Sequence, residues 1–423
     1  MENITGYSAV AERLKGSDIL KVANRLRDMI AQGQRVCNLS VGDFSPKEFQ
    51  IPQTLKKLII ESYQNNETNY PPSYGTVELR KSVQDFYKRK FGLEYELDEI
   101  QITSGSRPVT HAFYSCTLDS NHTLLYPVPS WNNDLYAVLT QAKEICLLTK
   151  PENGFHPIRE EIEPHIEKAN VLALCSPSNP TGTMFTEKAI RGICELVLQE
   201  NERRKGKQKP LYVLFDSVYW MLTFGKYTHY NPVVLYPDLK NYVVIVDGIS
   251  KCFAATGVRV GWGLGPKHLI SKMTHVIAHA GAWAPRAEQI AVSKYLYLDD
   301  DISQYITTLK SDIENRLNKL YQIMLNLSKK GHPVHAIEPQ GAMYLSVQFN
   351  LFGKKTPEGT VLQSNNQIAE YLLEHAKLGI VPFQAFGYPE ENGWFRLSVG
   401  AVGVQDIEWL CKELEKAIEK LHN

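Results

Sequence analysis

The 423-residue sequence lacks the features that would place it in a membrane, on nucleic acid or in an oxidising compartment. Its 46 basic and 46 acidic residues cancel, so no charged field is available to attract nucleic acid or an anionic membrane. No apolar run approaches the ~20 residues that a membrane helix needs, and the N-terminus has no signal-peptide pattern. We therefore expect a cytoplasmic protein that binds neither nucleic acid nor a membrane.

Paired cysteines and common metal motifs are also missing. The seven cysteines are scattered, odd in number and form no C-x-x-C pair, which favours free thiols in a reducing compartment. The sequence contains no H-E-x-x-H zinc motif and no G-x-S-x-G turn of a hydrolase. It predicts no metal centre.

The most informative stretch runs from residue 246 to residue 263. Lys251 lies between the β-branched run 242–246 and a second apolar run, 258–264, in a segment rich in small residues. A lysine is rarely buried unless it is paired or chemically used, and burial lowers its pKa towards that of a usable amine nucleophile. Arg259, eight residues further on, has a fork of donors that could hold a phosphate. The alternative is a lysine and an arginine on the rim of an ordinary sheet.

Polar residues follow three other apolar, strand-like runs. Asn179 stands in an Asn-Pro-Thr-Gly segment after the run 171–175, and Asp216 ends the run 211–215. An aspartate at the carboxyl end of a parallel strand lies in the crevice where open α/β sheets bind ligands. The third run, 100–103, leads through a glycine turn into a helix, whose N-terminus can hold an anion.

Ser250-Lys251 with Gly257, Arg259 and Gly261, together with the N-P-T-G segment, resembles the class I and II pyridoxal-phosphate aminotransferases. The resemblance extends from about residue 42 to residue 396. It implies the α/β fold type I, in which helices sandwich a mostly parallel seven-stranded sheet and a smaller α+β domain is built from both termini. The implied division is an N-terminal segment, 1–45, that packs with the small domain, a large domain, 46–300, and a small domain, 301–423.

The resemblance also implies site residues. Lys251, Asp216 and Tyr219 are the implied catalytic residues: Lys251 holds pyridoxal 5′-phosphate as a Schiff base, Asp216 faces the pyridine nitrogen and Tyr219 faces the O3′ oxygen. The implied cofactor-binding residues are Gly105, Ser106, Arg107, Trp131, Asn179, Asp216, Tyr219, Ser250, Lys251, Arg259 and Tyr70. The implied substrate-binding residues are Arg396, Gly42 and Asn179, and the Asn179–Pro180 peptide is expected to be cis.

In the family, the tyrosine equivalent to Tyr70 reaches the phosphate of the neighbouring subunit, which implies a homodimer with shared active sites. The implied reaction moves the amino group of an L-amino acid to a 2-oxo acid by a ping-pong mechanism. Arg107 stands where an aspartate-specific branch carries a lysine, so it either reads the side chain of an aspartate or glutamate donor or serves the phosphate. Two alternatives stay open: another reaction on this fold, such as a C–S β-lyase or a cyclopropane-forming synthase, and a non-catalytic sensor that binds the cofactor.

Overall fold

The computed structural model of the protein describes residues 6–14, 16 and 18–422. The helices are α1 (Ala9–Arg13), α2 (Asp18–Ala31), α3 (Gln53–Gln64), α4 (Val77–Phe91), α5 (Arg107–Thr117), α6 (Asn133–Thr140), α7 (Arg159–Ile162), α8 (Glu187–Arg204), α9 (Pro232–Leu235), α10 (Ile249–Cys252), α11 (Lys267–Ala280), α12 (Arg286–Tyr295), α13 (Asp299–Lys329), α14 (Asn365–Ala376) and α15 (Val404–Glu419). The strands are β1 (Cys37–Asn38), β2 (Ile100–Thr103), β3 (Thr123–Val128), β4 (Lys143–Leu148), β5 (Val171–Cys175), β6 (Tyr212–Asp216), β7 (Val243–Gly248), β8 (Gly261–Leu264), β9 (Val334–Ala336), β10 (Tyr344–Phe349), β11 (Leu378–Gly379), β12 (Val381–Pro382) and β13 (Trp394–Ser398). Among the helices described, none is both long enough and apolar enough to cross a membrane.

A seven-stranded sheet in the order β2-β8-β7-β6-β5-β3-β4 is the centre of the fold. Strands β3 to β7 run parallel to one another, whereas β8 runs antiparallel to both β7 and β2. Successive side chains of β6 enter different cores: Val213 and Phe215 pack on one face of the sheet and Leu214 packs on the other. Because both faces are covered, the central strands read as continuous apolar runs. The predicted α/β fold with a mostly parallel seven-stranded sheet is confirmed.

A second sheet, in the order β12-β13-β10-β9, is antiparallel and has its own hydrophobic core. Cys37 and Leu39, from near the N-terminus, are buried in this core with residues of α13, α14 and α15. Strand β1 pairs with β11, which ties the N-terminal part of the chain to the C-terminal part. The boundaries at residues 45 and 300 stay predictions, and residues 1–5, 15 and 17 of the N-terminal segment lie outside the described residues.

Candidate active site

The carboxyl ends of β5, β6 and β7 open into a cavity of about 640 Å³, which also borders the N-terminus of α5 and strand β13. Parallel strands that end at one edge bring side chains that are distant in sequence close together. The site residues predicted from the sequence that line the cavity are Gly42, Ser106, Arg107, Trp131, Asn179, Asp216, Tyr219, Ser250, Lys251, Arg259 and Arg396.

Lys251 projects into this cavity from α10, the short helix that follows β7. Its Nζ atom donates a hydrogen bond to the carbonyl oxygen of Gly42 at 2.8 Å. Burial lowers the pKa of Lys251 to about 8, and the charge of Arg396 acts in the same direction, while Asp43 and Asp216 oppose it. This amine therefore loses its proton more readily than an ordinary lysine does, as a nucleophile or a general base requires.

Asp216 lies at the last position of β6, directly opposite Cys175 of β5 in the parallel register. Its Oδ1 atom accepts a hydrogen bond from the backbone N–H of Val218 at 3.2 Å. Burial raises the pKa of Asp216 to about 6, although the Val218 N–H and the charge of Lys251 both favour the carboxylate. The cavity therefore contains a carboxyl group that a cationic ligand would hold in its ionised form.

The turn from β2 into α5 forms an anion-binding end of the cavity. Arg259 lies beside this turn: its Nη2 atom donates to the carbonyl oxygen of Ser104 at 2.8 Å, and its Nη1 atom donates to that of Thr256 at 2.6 Å. A side chain at Gly105, which has a φ of 81°, would overlap the guanidinium of Arg259. Within the described residues, neither Arg107 nor Arg259 forms an ion pair, although the charge of Asp43 acts on Arg259. Two cations and a helix N-terminus therefore face this end of the cavity.

Arg396 supplies a third guanidinium from β13 and is buried at 1% exposure. Its Nη1 atom donates to Oδ1 of Asn179 at 3.1 Å and its Nη2 atom donates to the carbonyl oxygen of Ser40 at 2.6 Å. Its Nε atom is buried and has no hydrogen-bond partner. The peptide between Asn179 and Pro180 is cis, as expected from the sequence. A buried arginine without an acidic partner is suited to bind a carboxylate from a ligand.

Aromatic side chains form the walls between these charged groups. The Tyr219 hydroxyl lies 2.6 Å from the hydroxyl of Tyr344, and burial, followed by the influence of Tyr344, raises the pKa of Tyr219 well above its ordinary value. The ring of Trp131 lies 5.6 Å from the Arg107 guanidinium and 6.3 Å from the ring of Phe386. The cavity can therefore hold a flat ring among aromatic side chains, with cations at its edges.

Of the predicted site residues, Gly105 and Tyr70 are not among those that line the cavity. Gly105 lies in the turn against Arg259. The Tyr70 side chain is 83% exposed, and its ring packs against Trp283, at 5.6 Å between ring centroids. Its role at a neighbouring subunit stays a prediction.

Sequence reasoning missed three residues of the site. Tyr344 contacts Tyr219, Phe386 faces Arg396 at 4.8 Å, and Asp43 accepts a hydrogen bond from the Thr256 hydroxyl at 2.6 Å. Asp43 follows Gly42 directly, so its position in the same turn was a usable signal. Tyr344 and Phe386 stand in apolar segments that cannot be told from core segments by their pattern.

Comparisons with known proteins agree with this geometry. The family profile described as aminotransferase class I and II matches residues 34–414. A protein of Rickettsia conorii named probable aspartate/prephenate aminotransferase is 30% identical over 412 residues, which cover 96% of each chain. The aspartate aminotransferase of Bacillus subtilis is 27% identical and is covered to 97%, against 96% of this chain. The crystal structure of the aspartate aminotransferase from Rhizobium meliloti superposes with a TM-score of 0.87 at 25% identity, covering 98% of this chain and 99% of that one.

Proposed function

The chain belongs to the class I and II aminotransferases and is an aminotransferase; on this premise we propose that it uses pyridoxal 5′-phosphate and takes L-aspartate or L-glutamate as amino donor. One observation carries the proposal. Lys251 and Asp216 line a single cavity with the guanidinium groups of Arg259 and Arg396, neither of which pairs with an acidic side chain within the described residues. The amine of Lys251 matches the aldehyde of the cofactor, and the acid of Asp216 matches its ring nitrogen. The two separate anion sites match the cofactor phosphate and the substrate carboxylate.

The anion-binding end fits a phosphate. Ser106 and Arg107 begin α5, and Ser250 and Arg259 line the same cavity. Backbone N–H groups at a helix N-terminus and a guanidinium fork both complement phosphate oxygens. Arg259 can approach this turn closely only because position 105 is a glycine and has no side chain. We assign these residues to the cofactor phosphate.

Bound pyridoxal phosphate supplies an aldehyde that receives the amino group and a ring that withdraws electrons from the substrate Cα. Asp216 is placed to hold a proton on the ring nitrogen, because a neighbouring carboxylate stabilises a cation in a buried site. Tyr219 and Asn179 line the same cavity, and their hydroxyl and amide groups would donate to the ring oxygen. Trp131 provides a flat face against which the ring can stack.

Lys251 would hold the cofactor through its aldehyde and would also act on the substrate proton. Its Nζ atom, when neutral and free, could accept the proton of the substrate Cα, which is a general base role. The Gly42 carbonyl, 2.8 Å from Nζ, holds the amine at the substrate side of the cavity. Arg396 fixes the substrate carboxylate, and this fixes the direction of the Cα–H bond relative to Lys251.

The donor assignment rests on Arg107 and on the names of the relatives. The guanidinium of Arg107 lies on the cavity wall in addition to that of Arg396, and its charge acts on both Lys251 and Arg259. The alignments with relatives whose names include aspartate cover 96% of this chain. A donor with two carboxylates would engage Arg396 with one and Arg107 with the other.

A panel of amino donors tests this proposal in the wild-type protein and in Arg107→Gln. We expect ketoacid formation coupled to transfer of the amino group, with aspartate and glutamate preferred. In Arg107→Gln, kcat/KM for these two donors is expected to fall about 10²-fold, the equivalent of one charged hydrogen-bond partner, while that for alanine changes little. Initial rates with each donor, together with cofactor affinity, provide the measurement.

Arg191→Gln is the matched control, because the Arg191 side chain is 42% exposed and pairs with Glu187 on the same helix, outside the cavity. An equal loss for all donors, accompanied by weaker cofactor binding, would assign Arg107 to the phosphate instead. Pyruvate and ammonia as the only products would replace aminotransfer by a lyase reaction.

The assembly we propose is a homodimer in which Tyr70 reaches the partner's phosphate site. Its support is the exposed Tyr70 ring, which does not line this chain's own cavity. Tyr70→Phe is expected to weaken cofactor binding about threefold to tenfold, the value of one hydrogen bond. Tyr297→Phe, which also removes an exposed tyrosine hydroxyl bond, is the control and should bind normally. A fully active monomer in sedimentation equilibrium would contradict the proposal.

A further inference from the structure

Tyr344 forms a second link between the two parts of the cavity, beside the direct hydrogen bond from Arg396 to Asn179. It lies at the first position of β10, and its hydroxyl is 2.6 Å from the hydroxyl of Tyr219, which follows β6 of the large sheet. The guanidinium of Arg396 lies over the Tyr344 ring, 4.8 Å from its centroid. One side chain therefore contacts both the tyrosine assigned to the cofactor oxygen and the arginine assigned to the substrate carboxylate.

The position of Tyr344 is rigidly determined. Its side chain is 1% exposed, and β10 pairs with β13, so that Tyr344 lies opposite Ser398, two residues beyond Arg396. A Cβ atom at position 42 would lie 2.8 Å from the Tyr344 hydroxyl. The hydroxyl can therefore lie this close to the backbone only because position 42 is a glycine. The ring of Tyr344 meets that of Tyr219 edge to face, at 5.6 Å and 74°. Packing on every side thus holds the hydroxyl against Tyr219.

The charges around this pair make the contact sensitive to occupancy of the carboxylate site. The titratable and charged groups facing Tyr344 are Tyr219, Arg396, Cys175 and Asp43. Burial raises the pKa of Tyr344, and the nearby Arg396 cation acts in the opposite direction. A carboxylate bound at Arg396 would neutralise that cation and change the strength with which Tyr344 hydrogen-bonds to Tyr219.

We propose that Tyr344 is a positioning residue that holds the Tyr219 hydroxyl toward the cofactor oxygen and transmits to it the occupancy of the carboxylate site at Arg396. This inference rests on the proposed function of the site. It extends that function, because binding of the substrate carboxylate then alters the environment of the cofactor before any bond changes.

The experiment uses the protein loaded with pyridoxal phosphate and titrates the absorbance of the bound cofactor against pH, with and without succinate. Succinate carries carboxylates but no amino group, so it can occupy the site without reacting. We expect succinate to shift the titration midpoint in the wild-type protein, and we expect less than half of that shift in Tyr344→Phe. The kcat of Tyr344→Phe should fall about threefold to tenfold, the value of one hydrogen bond, with little change in KM because the phenyl ring still faces Arg396.

Tyr371→Phe is the matched control, since its buried hydroxyl donates to the Ala417 carbonyl at 2.6 Å, outside the cavity. It should keep the full wild-type shift. Tyr219→Phe removes the same contact from the other side and keeps the test valid if Tyr344→Phe does not fold. The succinate-induced shift should also be reduced in Tyr219→Phe. It should fall no further in the double variant, because both substitutions remove the same interaction.

An active wild-type enzyme without a succinate-induced shift would overturn the inference, as would a full shift in Tyr344→Phe. Either result leaves the proposed function intact. A protein that binds no pyridoxal phosphate, or that transfers no amino group, contradicts the proposed function itself.

Discussion

Lys251→Ala is expected to lower turnover of the amino donor about 10⁴-fold or more, because in the proposed mechanism one amine both attaches the cofactor and moves the Cα proton. The variant should fold. Burial lowers the pKa of Lys251 from 10.5 to about 8, so the folded state carries a disfavoured charge below pH 8, and this penalty is relieved only between pH 8 and 10.5. Removing the amine at neutral pH therefore removes an unfavourable term.

Three measurements check this result: steady-state turnover, thermal unfolding, and the amount of cofactor retained after dialysis and borohydride reduction. Lys267→Ala is the matched control, since Lys267 is exposed and pairs with Asp98 away from the cavity. In the wild-type protein, borohydride should fix the cofactor to Lys251 alone. Turnover in Lys251→Ala above about one hundredth of the wild-type value would exclude Lys251 as the base, given the range of general acid–base effects.

The same pKa predicts how the wild-type protein captures its cofactor. Only the neutral amine attacks an aldehyde, so the rate of cofactor incorporation should rise with pH and level off above about 8. An ordinary lysine would show the rise continuing towards pH 10.5, because its amine stays protonated over this range.

Lys251 and Asp216 could be predicted from the sequence because each follows an apolar, β-branched run. Such runs become neighbouring parallel strands, and their ends meet at one edge of the sheet. The direction of β8 could not be predicted this way. Its apolar run resembles the others, but it pairs antiparallel with β7 and β2. Alternation and length carry no information on strand direction.

Contacts between distant segments account for the rest of what the sequence did not reveal. Tyr344 stands in an apolar strand and reads as a core residue, and its hydroxyl lies against that of a tyrosine 125 positions away. Asp43 reaches Thr256 across 213 positions. The role proposed for Tyr70 needs a second copy of the chain, which no pattern within one chain describes. Local pattern predicts strand ends and turns, whereas these partners are determined by packing.

Asp216→Asn is expected to lower kcat about 10²- to 10³-fold, the range for removing one electrostatic partner of a developing charge. The amide keeps the hydrogen bond from the Val218 N–H, which measures 3.2 Å, but has no charge to hold a proton on the ring nitrogen. Fold stability should not fall. Burial raises the pKa of Asp216 from 3.8 to about 6, so this carboxyl stabilises the cofactor-free protein below pH 3.8, and that contribution is lost as the pH rises through 6.

At pH 8 the cofactor-free Asp216→Asn protein should therefore be more stable than the wild type, by about 3 kcal/mol at most, for a shift of roughly two pKa units. Asp238→Asn, at an exposed position, is the control and should change neither property. A cofactor analogue methylated on the ring nitrogen carries a fixed positive charge and should restore part of the lost kcat in Asp216→Asn. Since the fixed charge needs no proton, failure of this rescue, with the analogue bound, would mean that Asp216 acts through something other than its charge at the ring nitrogen.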